Sequence, residues 1–187
     1  VVISAPDREQ SGNSSAISLN RPLRVERARS KIPNVVAYSV EGTPADCVII
    51  ALERLLDSKV DVVVSGINPG ANFGEDILIS GTVGSAIQGH IRGIPSIAVS
   101  VAALRDVKYR AASLVLHNIL SKISLWSDID TYEDNDFVDE MNKRPVLLNV
   151  NLPNLPKSRL KGAIVTRMGR RAYGDSVVDG DDGRRSW

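Results

Sequence analysis

The chain has 187 residues, of which 43% are hydrophobic and 24% are charged, so it is long enough to bury the core of one globular domain. Its 23 Lys and Arg are balanced by 22 Asp and Glu, which argues against a protein that binds nucleic-acid polymers or membrane surfaces. The single cysteine, Cys47, excludes an internal disulfide, and no apolar run has the length of a membrane span. We therefore expect a soluble, cytoplasmic protein.

Short runs rich in Val and Ile predict the strands. They are continuous rather than alternating, which is typical of parallel strands that are covered on both faces. One further stretch, 23–27, alternates between apolar and charged residues and is predicted to be an edge strand. The continuous runs lie at 1–5, 35–40, 61–65, 96–101, 146–151 and 163–166.

Three segments between these runs carry apolar residues at helical spacing: 44–57, 81–92 and 108–123. Because strands and helices alternate along the chain, the sequence predicts an α/β fold with a doubly wound, mostly parallel, Rossmann-like sheet.

Two regions do not fit this alternation. The segment 127–143 is acidic and has no apolar period, and it is interpreted as a surface insertion. The chain also begins inside an apolar run and ends soon after a Gly- and Asp-rich turn, so we expect it to be a fragment. The expected organisation is one domain over 1–166, followed over 167–187 by the start of a C-terminal extension.

Three polar loops follow predicted strands and are expected at one edge of the sheet, where open α/β sheets bind ligands: 5–15, 41–46 and 66–76. Two of them lead into helices. Thr43, Pro44 and Asp46 suit the N-cap, first and third positions of a helix, and Ser80 begins the next one. The unpaired amides of a helix N-terminus attract phosphate, although capping alone explains these residues equally well.

The sequence lacks the motifs of several other binding and catalytic functions. No dinucleotide-binding G-x-G-x-x-G, no P-loop and no G-x-S-x-G nucleophile motif occurs. His90 and His117 lie on predicted helices without ligand-type partners at metal-binding spacing, and Cys47 beside Val48 is expected to be a small core residue. Hydroxyl and amide oxygens at the sheet edge could complete a Mg²⁺ or Mn²⁺ shell that carboxylates anchor.

Four segments of the chain are distinctive: 5–12 (APDREQSG), 42–48 (GTPADCV), 65–74 (SGINPGANFG) and 80–83 (SGTV). They resemble signature segments of the SurE family (survival protein E), in the family's order and spacing. The resemblance implies a SurE-like fold and a metal-dependent nucleotidase that converts nucleoside 5′-monophosphates, and also 3′-monophosphates, to nucleoside and phosphate.

The resemblance also implies roles for individual residues. Ser11 and Asn68 match metal ligands of the family, and the metal would be Mg²⁺ or Mn²⁺. The residues that match the lining of the phosphate pocket are Asn72, Ser80, Gly81 and Thr82, with Gly42 and Thr43 in a flanking loop.

The family's first metal ligands are an adjacent Asp pair in an Asn-Asp-Asp-Gly motif, which this chain lacks. The stretch 181–183 (DDG) looks similar but follows a basic stretch rather than an apolar strand, so it is interpreted as a turn. No catalytic residue is therefore assigned, and we expect the chain alone to bind metal poorly and to be inactive. The family's C-terminal arm implies a homodimer or homotetramer.

Three alternatives remain open from the sequence. The chain could be a nucleotide-binding module without catalysis, or a broader phosphatase or exopolyphosphatase for which nucleotides are incidental. A structural subunit without a ligand is a third possibility, but it does not explain why polar residues gather at the strand ends.

Overall fold

The structure is a computed structural model that describes residues 1–122 and 145–170. A π-helical turn over Ala51–Leu55 continues α1, and short 3-10 helices cover Gly74–Leu78 and Lys157–Arg159. The helices are α1 (Pro44–Ile50), α2 (Gly81–His90) and α3 (Tyr109–Leu120). The strands are β1 (Val2–Pro6), β2 (Val25–Ala28), β3 (Val36–Val40), β4 (Val63–Pro69), β5 (Ser96–Ala102) and β6 (Leu147–Pro153).

The strands form two three-stranded sheets whose pairing is mostly parallel. In the first sheet, of order β1-β3-β2, β1 and β3 are parallel, while β2 is an antiparallel edge strand. In the second, of order β4-β5-β6, both pairs are parallel. The predicted α/β class and the predicted edge strand at 23–27 are confirmed.

The two faces of β5 pack against different helices, which makes the second sheet doubly wound. Ile97, Val99 and Val101 join a core cluster with Ala112 of α3. Ala98, between them, packs with residues of α2. Because successive side chains of a strand point to opposite faces, α2 and α3 cover opposite faces of this sheet. This explains why the run in β5 is continuously apolar or small.

The direction of α2 follows from a close approach near its C-terminus. A Cβ on Gly89 would lie 2.7 Å from Val63 Cγ2 and 2.5 Å from Ser96 Oγ. Val63 and Ser96 are the first residues of β4 and β5. The C-terminus of α2 therefore lies at the amino ends of these strands, and its N-terminus lies at their carboxyl ends.

One predicted strand is absent, and another extends farther than predicted. Residues 163–166 do not form a strand, and Ile164 and Val165 are 86% and 102% exposed. A short apolar run becomes a strand only where a neighbouring strand accepts its hydrogen bonds, and none does so among the described residues. The strand predicted at 61–65 continues to Pro69, so Asn68 belongs to β4 and not to the loop after it.

Some predictions concern residues that the structure does not describe. The acidic segment 127–143, the turn at 181–183 and most of the extension over 167–187 lie outside the described ranges. Within those ranges, no helix has both the length and the apolar character needed to cross a membrane.

Candidate functional site

Three polar residues form a row across the carboxyl ends of β4, β5 and β6. Asn68 pairs with Ser100, and Ser100 pairs with Asn151 in the parallel ladders. Paired residues of neighbouring strands point to the same face, and this face also carries Ala98 and is covered by α2. The row therefore lies on the α2 side of the sheet, at the edge where the N-terminus of α2 is found.

A β-bulge in β4 places Asn68 in this row. The pairing shifts between Ser65, opposite Ala98, and Asn68, opposite Ser100, so β4 contains one more residue than β5 in this interval. Without the extra residue, Asn68 and Ser65 would point to opposite faces. The bulge needs a glycine, because Gly66 has φ +120° and a Cβ there would lie 2.3 Å from the carbonyl oxygen of Val99.

Asn72 folds back over the row and is held there by hydrogen bonds. Its backbone N–H donates to Asn151 Oδ1 at 2.7 Å, and its side-chain Nδ2 donates to Ser100 Oγ at 2.7 Å. Its carbonyl oxygen accepts from Asn149 Nδ2 at 2.8 Å and from Asn151 Nδ2 at 3.0 Å. Asn68 uses its own Nδ2 for the carbonyls of Pro69 and Gly70, which leaves its Oδ1 as an acceptor.

The second part of the site is formed by the N-termini of α1 and α2. Thr43 caps α1 in the predicted capping box with Asp46, and Pro44 occupies the first turn. Ser80 caps α2 by accepting from the N–H of Val83 at 3.1 Å. The two termini are neighbours, because a Cβ on Gly81 would lie 3.0 Å from Pro44 Cγ. Gly42 is buried against Asp46, so no side chain fits there.

The loop after β1 crosses these helix termini. Ser14 donates from its backbone N–H to Ile79 O at 3.0 Å and from its Oγ to Leu78 O at 2.6 Å. Farther along the loop, Thr43 Oγ1 donates to Ala16 O at 2.6 Å. The loops after β1, β3 and β4 therefore converge as predicted, but not at the edge of one sheet, since β4 belongs to a different sheet from β1 and β3.

Asp46 is a buried charge beneath this loop. Its carboxylate accepts from the N–H and Oγ of Ser18, at 2.9 Å and 2.8 Å, and from the N–H of Thr43 at 2.9 Å. Burial by itself would raise the pKa of Asp46, but these hydrogen bonds from Ser18 and Thr43 outweigh it and lower the pKa below the usual 3.8. The ionised carboxylate therefore fastens the loop to α1.

The side-chain hydrogen bond of Ser11 does not involve any other predicted site residue. It is exposed, and its Oγ donates to Glu9 Oε1 at 2.9 Å. Ser11 Oγ and Asn68 Oδ1 are neutral oxygens and fit two positions in the shell of a hard cation. The described residues contain no group of three or more His, Cys, Asp or Glu side chains that could hold a metal ion. Ser11 and Asn68 therefore fit part of a metal shell as neutral ligands, and the described residues add no cluster of three or more charged, His or Cys ligands to it.

The start of α2 has the chemistry of an anion site. Ser80 accepts from Val83, but the N–H groups of Gly81 and Thr82 have no hydrogen-bond acceptor among the residues that the structure describes. Together with the positive end of the helix dipole, such N–H groups favour a phosphate. The polar row of Asn68, Ser100 and Asn151 lies at the same edge and on the same face.

The sequence interpretation missed three residues of this region: Ser100, Asn149 and Asn151. The run at 146–151 was interpreted only as a buried strand. Its signal was the alternation of Asn149 and Asn151 with apolar residues, which places both amides on one face. The two histidines lie in the last turns of α2 and α3, and Cys47 is buried in α1, all as predicted.

Comparison with known proteins places this geometry in context. The sequence model of the family described as "Survival protein SurE" matches residues 1–175. A protein of Dehalococcoides mccartyi named 5′-nucleotidase SurE is 40% identical over 187 residues, which cover 100% of this chain and 66% of that protein. A protein of the same name from Carboxydothermus hydrogenoformans is 41% identical over 175 residues, 92% of this chain and 61% of its own length.

A solved structure agrees with these matches. The crystal structure of the SurE protein from Aquifex aeolicus is similar with a TM-score of 0.71 and 37% sequence identity, covering 93% of this chain and 63% of that one. The chain thus spans about two thirds of the length of the relatives that it matches, at 66% and 61% for the two curated proteins.

Proposed function

The chain belongs to the SurE family, and from this membership we propose that the protein is a metal-dependent phosphomonoesterase that hydrolyses nucleoside 5′-monophosphates, and also 3′-monophosphates, to nucleoside and phosphate. The single observation that carries the proposal is the position of the open N-terminus of α2 beside the polar row of Asn68, Ser100 and Asn151. Both lie at the carboxyl edge of a parallel sheet, where ligands of α/β folds bind.

The phosphate oxygens would be held by the start of α2. The N–H groups of Gly81 and Thr82 are available to donate to them, and the Thr82 hydroxyl lies in the same turn. Asn72 would face the same phosphate from the sheet side. Gly42 and Thr43 would flank the pocket through the neighbouring start of α1, and the hydrogen bond from Thr43 Oγ1 to Ala16 O holds the loop above it. Donors that are fixed before the substrate arrives stabilise the charge that develops in the transition state.

Asn68 and Ser11 would hold the divalent metal, Mg²⁺ or Mn²⁺, through their side-chain oxygens. Asn68 is suited to this because its Nδ2 is already used for two backbone carbonyls, so its Oδ1 is turned away from them. When bound, such an ion neutralises charge on the phosphate and lowers the pKa of a water molecule.

Phosphate release from the complete gene product tests this function. We expect hydrolysis of nucleoside 5′-monophosphates that requires added Mn²⁺ or Mg²⁺ and is abolished by a chelator. Polyphosphate and simple phosphate esters belong in the same panel, because faster hydrolysis of these would favour the broader phosphatase. Nucleotide binding without any phosphate release would overturn the proposal in favour of a binding module.

Asn68→Ala should lower this activity by about 10- to 100-fold at limiting metal, because it removes a metal-ligating oxygen. The unfolding midpoint without metal should stay close to that of the wild type. Asn154→Ala is a matched control, since Asn154 brackets a different loop through Lys108 N–H and Asp106 O. If Asn68→Ala instead unfolds the protein in the absence of metal, the role of Asn68 is to stabilise the loop and not to bind the metal.

We further propose that the protein is a cytoplasmic homodimer or homotetramer that associates through the extension after residue 166. Exposed apolar residues at the junction with this extension support the proposal. Ile164 and Val165, just before it, are 86% and 102% exposed, and Met168, at its start, is 64% exposed. Apolar side chains exposed together in this way are typical of association surfaces. Light scattering of the complete gene product at micromolar concentration should give at least twice the monomer mass, and a monomer would overturn this proposal.

A further inference from the structure

Asn72 is fixed by side chains from a distant strand rather than by backbone pairing. Asn151 forms two hydrogen bonds to the backbone of Asn72, accepting from its N–H at 2.7 Å and donating to its carbonyl oxygen at 3.0 Å. A peptide N–H can only donate and a carbonyl can only accept, so this pair of bonds sets the orientation of the Asn151 amide. The side-chain amide of Asn151 therefore pairs with the backbone of Asn72 as a peptide group of a neighbouring strand would. The two hydrogen bonds form a bridge between β6 and Asn72.

Asn149 strengthens the same bridge. Its Nδ2 donates to the carbonyl oxygen of Asn72 at 2.8 Å, and its Oδ1 accepts from Asn151 Nδ2 at 3.3 Å. The two asparagines are two positions apart in β6, so both side chains lie on the face that carries Ser100. The side chain of Asn72 is fixed as well, because its Nδ2 donates at 2.7 Å to Ser100, which is fully buried.

We propose that Asn149 and Asn151 are positioning residues, which set the place of Asn72 in the phosphate pocket. The inference rests on the proposed function, and it assigns to β6 a part in the reaction that the predicted site residues did not include. With both backbone groups and the Nδ2 engaged, Asn72 keeps its Oδ1 and the second hydrogen of its amide for a ligand. A displacement of about 1 Å at such a residue can cost about 100-fold in rate.

Asn151→Asp is the sharpest variant, because it keeps the shape and the acceptor for the Asn72 N–H but loses the donor to the Asn72 carbonyl. It also sets a carboxylate oxygen against that carbonyl and against Asn149 Oδ1. In the complete gene product with saturating Mn²⁺, we expect kcat for a nucleoside monophosphate to fall by about 10- to 100-fold. Asn149→Ala, at an exposed position, should give a smaller loss in the same direction and covers the case in which Asn151→Asp does not fold.

A double-mutant cycle separates positioning from general damage to the fold. If Asn151 acts through Asn72, Asn151→Asp should have little further effect on kcat in an Asn72→Ala background. A merely structural role would lower kcat by the same factor in both backgrounds, and that additive result would overturn the inference.

Asn154→Asp is the matched control, because Asn154 also forms two hydrogen bonds to backbone groups of a loop but does not contact Asn72 through them. Asn154 lies just after β6, accepts from Lys108 N–H at 2.8 Å and donates to Asp106 O at 3.2 Å. The kcat of the Asn154→Asp variant should equal that of the wild type. The backbone amide signal of Asn72 in ¹⁵N spectra should shift in Asn151→Asp but not in Asn154→Asp.

The outcomes distinguish this inference from the proposed function. An inactive wild-type gene product would overturn the function and the inference with it. An active wild type with an unchanged kcat in both Asn151→Asp and Asn149→Ala would overturn the inference alone.

Discussion

Asp46 shows how one buried carboxylate connects two parts of the site. Ser18 in the loop after β1 and Thr43 at the start of α1 both donate to it. Its capping role was visible from the spacing of Thr43 and Asp46 in the sequence. The hydrogen bonds from Ser18 were not visible in this way, since Ser18 and Asp46 are 28 positions apart.

Replacing Asp46 should destabilise the protein in a pH-dependent way. Asp46→Asn turns an acceptor into a donor that faces other donors, and we expect a loss of about 1 to 3 kcal/mol in the free energy of unfolding at neutral pH. The pKa of Asp46 is lowered below 3.8 in the folded state, so its ionisation stabilises the protein above that pH, and this stabilisation is lost as the pH falls through the folded value.

Denaturant unfolding of wild type and variant from neutral pH to about pH 2 measures this. The difference between the two proteins should shrink as the pH falls below 3.8, the usual pKa of an Asp side chain. A difference that stays constant over the whole range would show that packing, rather than charge, explains the loss.

Cys47 should be chemically inert in the folded protein. Burial, followed by the charge of Asp46, raises the pKa of its thiol to about 12, and the side chain is 2% exposed. Only the thiolate reacts with alkylating reagents, so native protein at about pH 8 should resist labelling, while protein in denaturant should be labelled completely. Mass spectrometry of the two samples checks this, and fast labelling of native protein would contradict the described packing of α1.

The contact between α2 and the loop after β1 depends on the absence of a side chain at Gly84. A Cβ at this position would lie 2.3 Å from the carbonyl oxygen of Ser14 and 2.7 Å from its carbon. Both atoms belong to the backbone and cannot rotate away, so the loop and the helix must separate.

Gly84→Ala should therefore lower the free energy of unfolding by about 1 to 3 kcal/mol, although alanine favours a helix more than glycine does. Thermal unfolding measures the change. Gly169→Ala is the control, because a Cβ there meets no atom within 4 Å, and it should change stability by less than about 0.5 kcal/mol. A Gly84→Ala protein as stable as the wild type would mean that the loop does not rest on α2.

For the whole chain, the acidic segment 127–143 should be dispensable. It has no apolar period that would attach it to the core, and it lies outside the residues that the structure describes. Replacement with a short Gly/Ser linker should leave the melting temperature and the activity of the complete gene product unchanged. A large fall in the melting temperature would show that the segment packs against the domain.

The sequence by itself determined most of the strands, the helices and the helix caps, because these depend largely on residues within a few positions of each other. The period of apolar residues in 81–92 predicted α2, and the run at 96–101 predicted β5. The capping box of Thr43 and Asp46 spans three residues. The signature segments likewise gave the family, because their order along the chain is itself sequence information.

Only the tertiary structure decided how these parts meet. The bulge at Gly66 brings Asn68 onto the face of Ser65, and no local pattern reports a one-residue shift in pairing. The bridge between Asn72 and Asn151 joins residues that are 79 positions apart. The strand predicted at 163–166 failed for the same reason, since an apolar run forms a strand only beside a partner. Register and pairing depend on contacts between distant segments, which the local sequence does not specify.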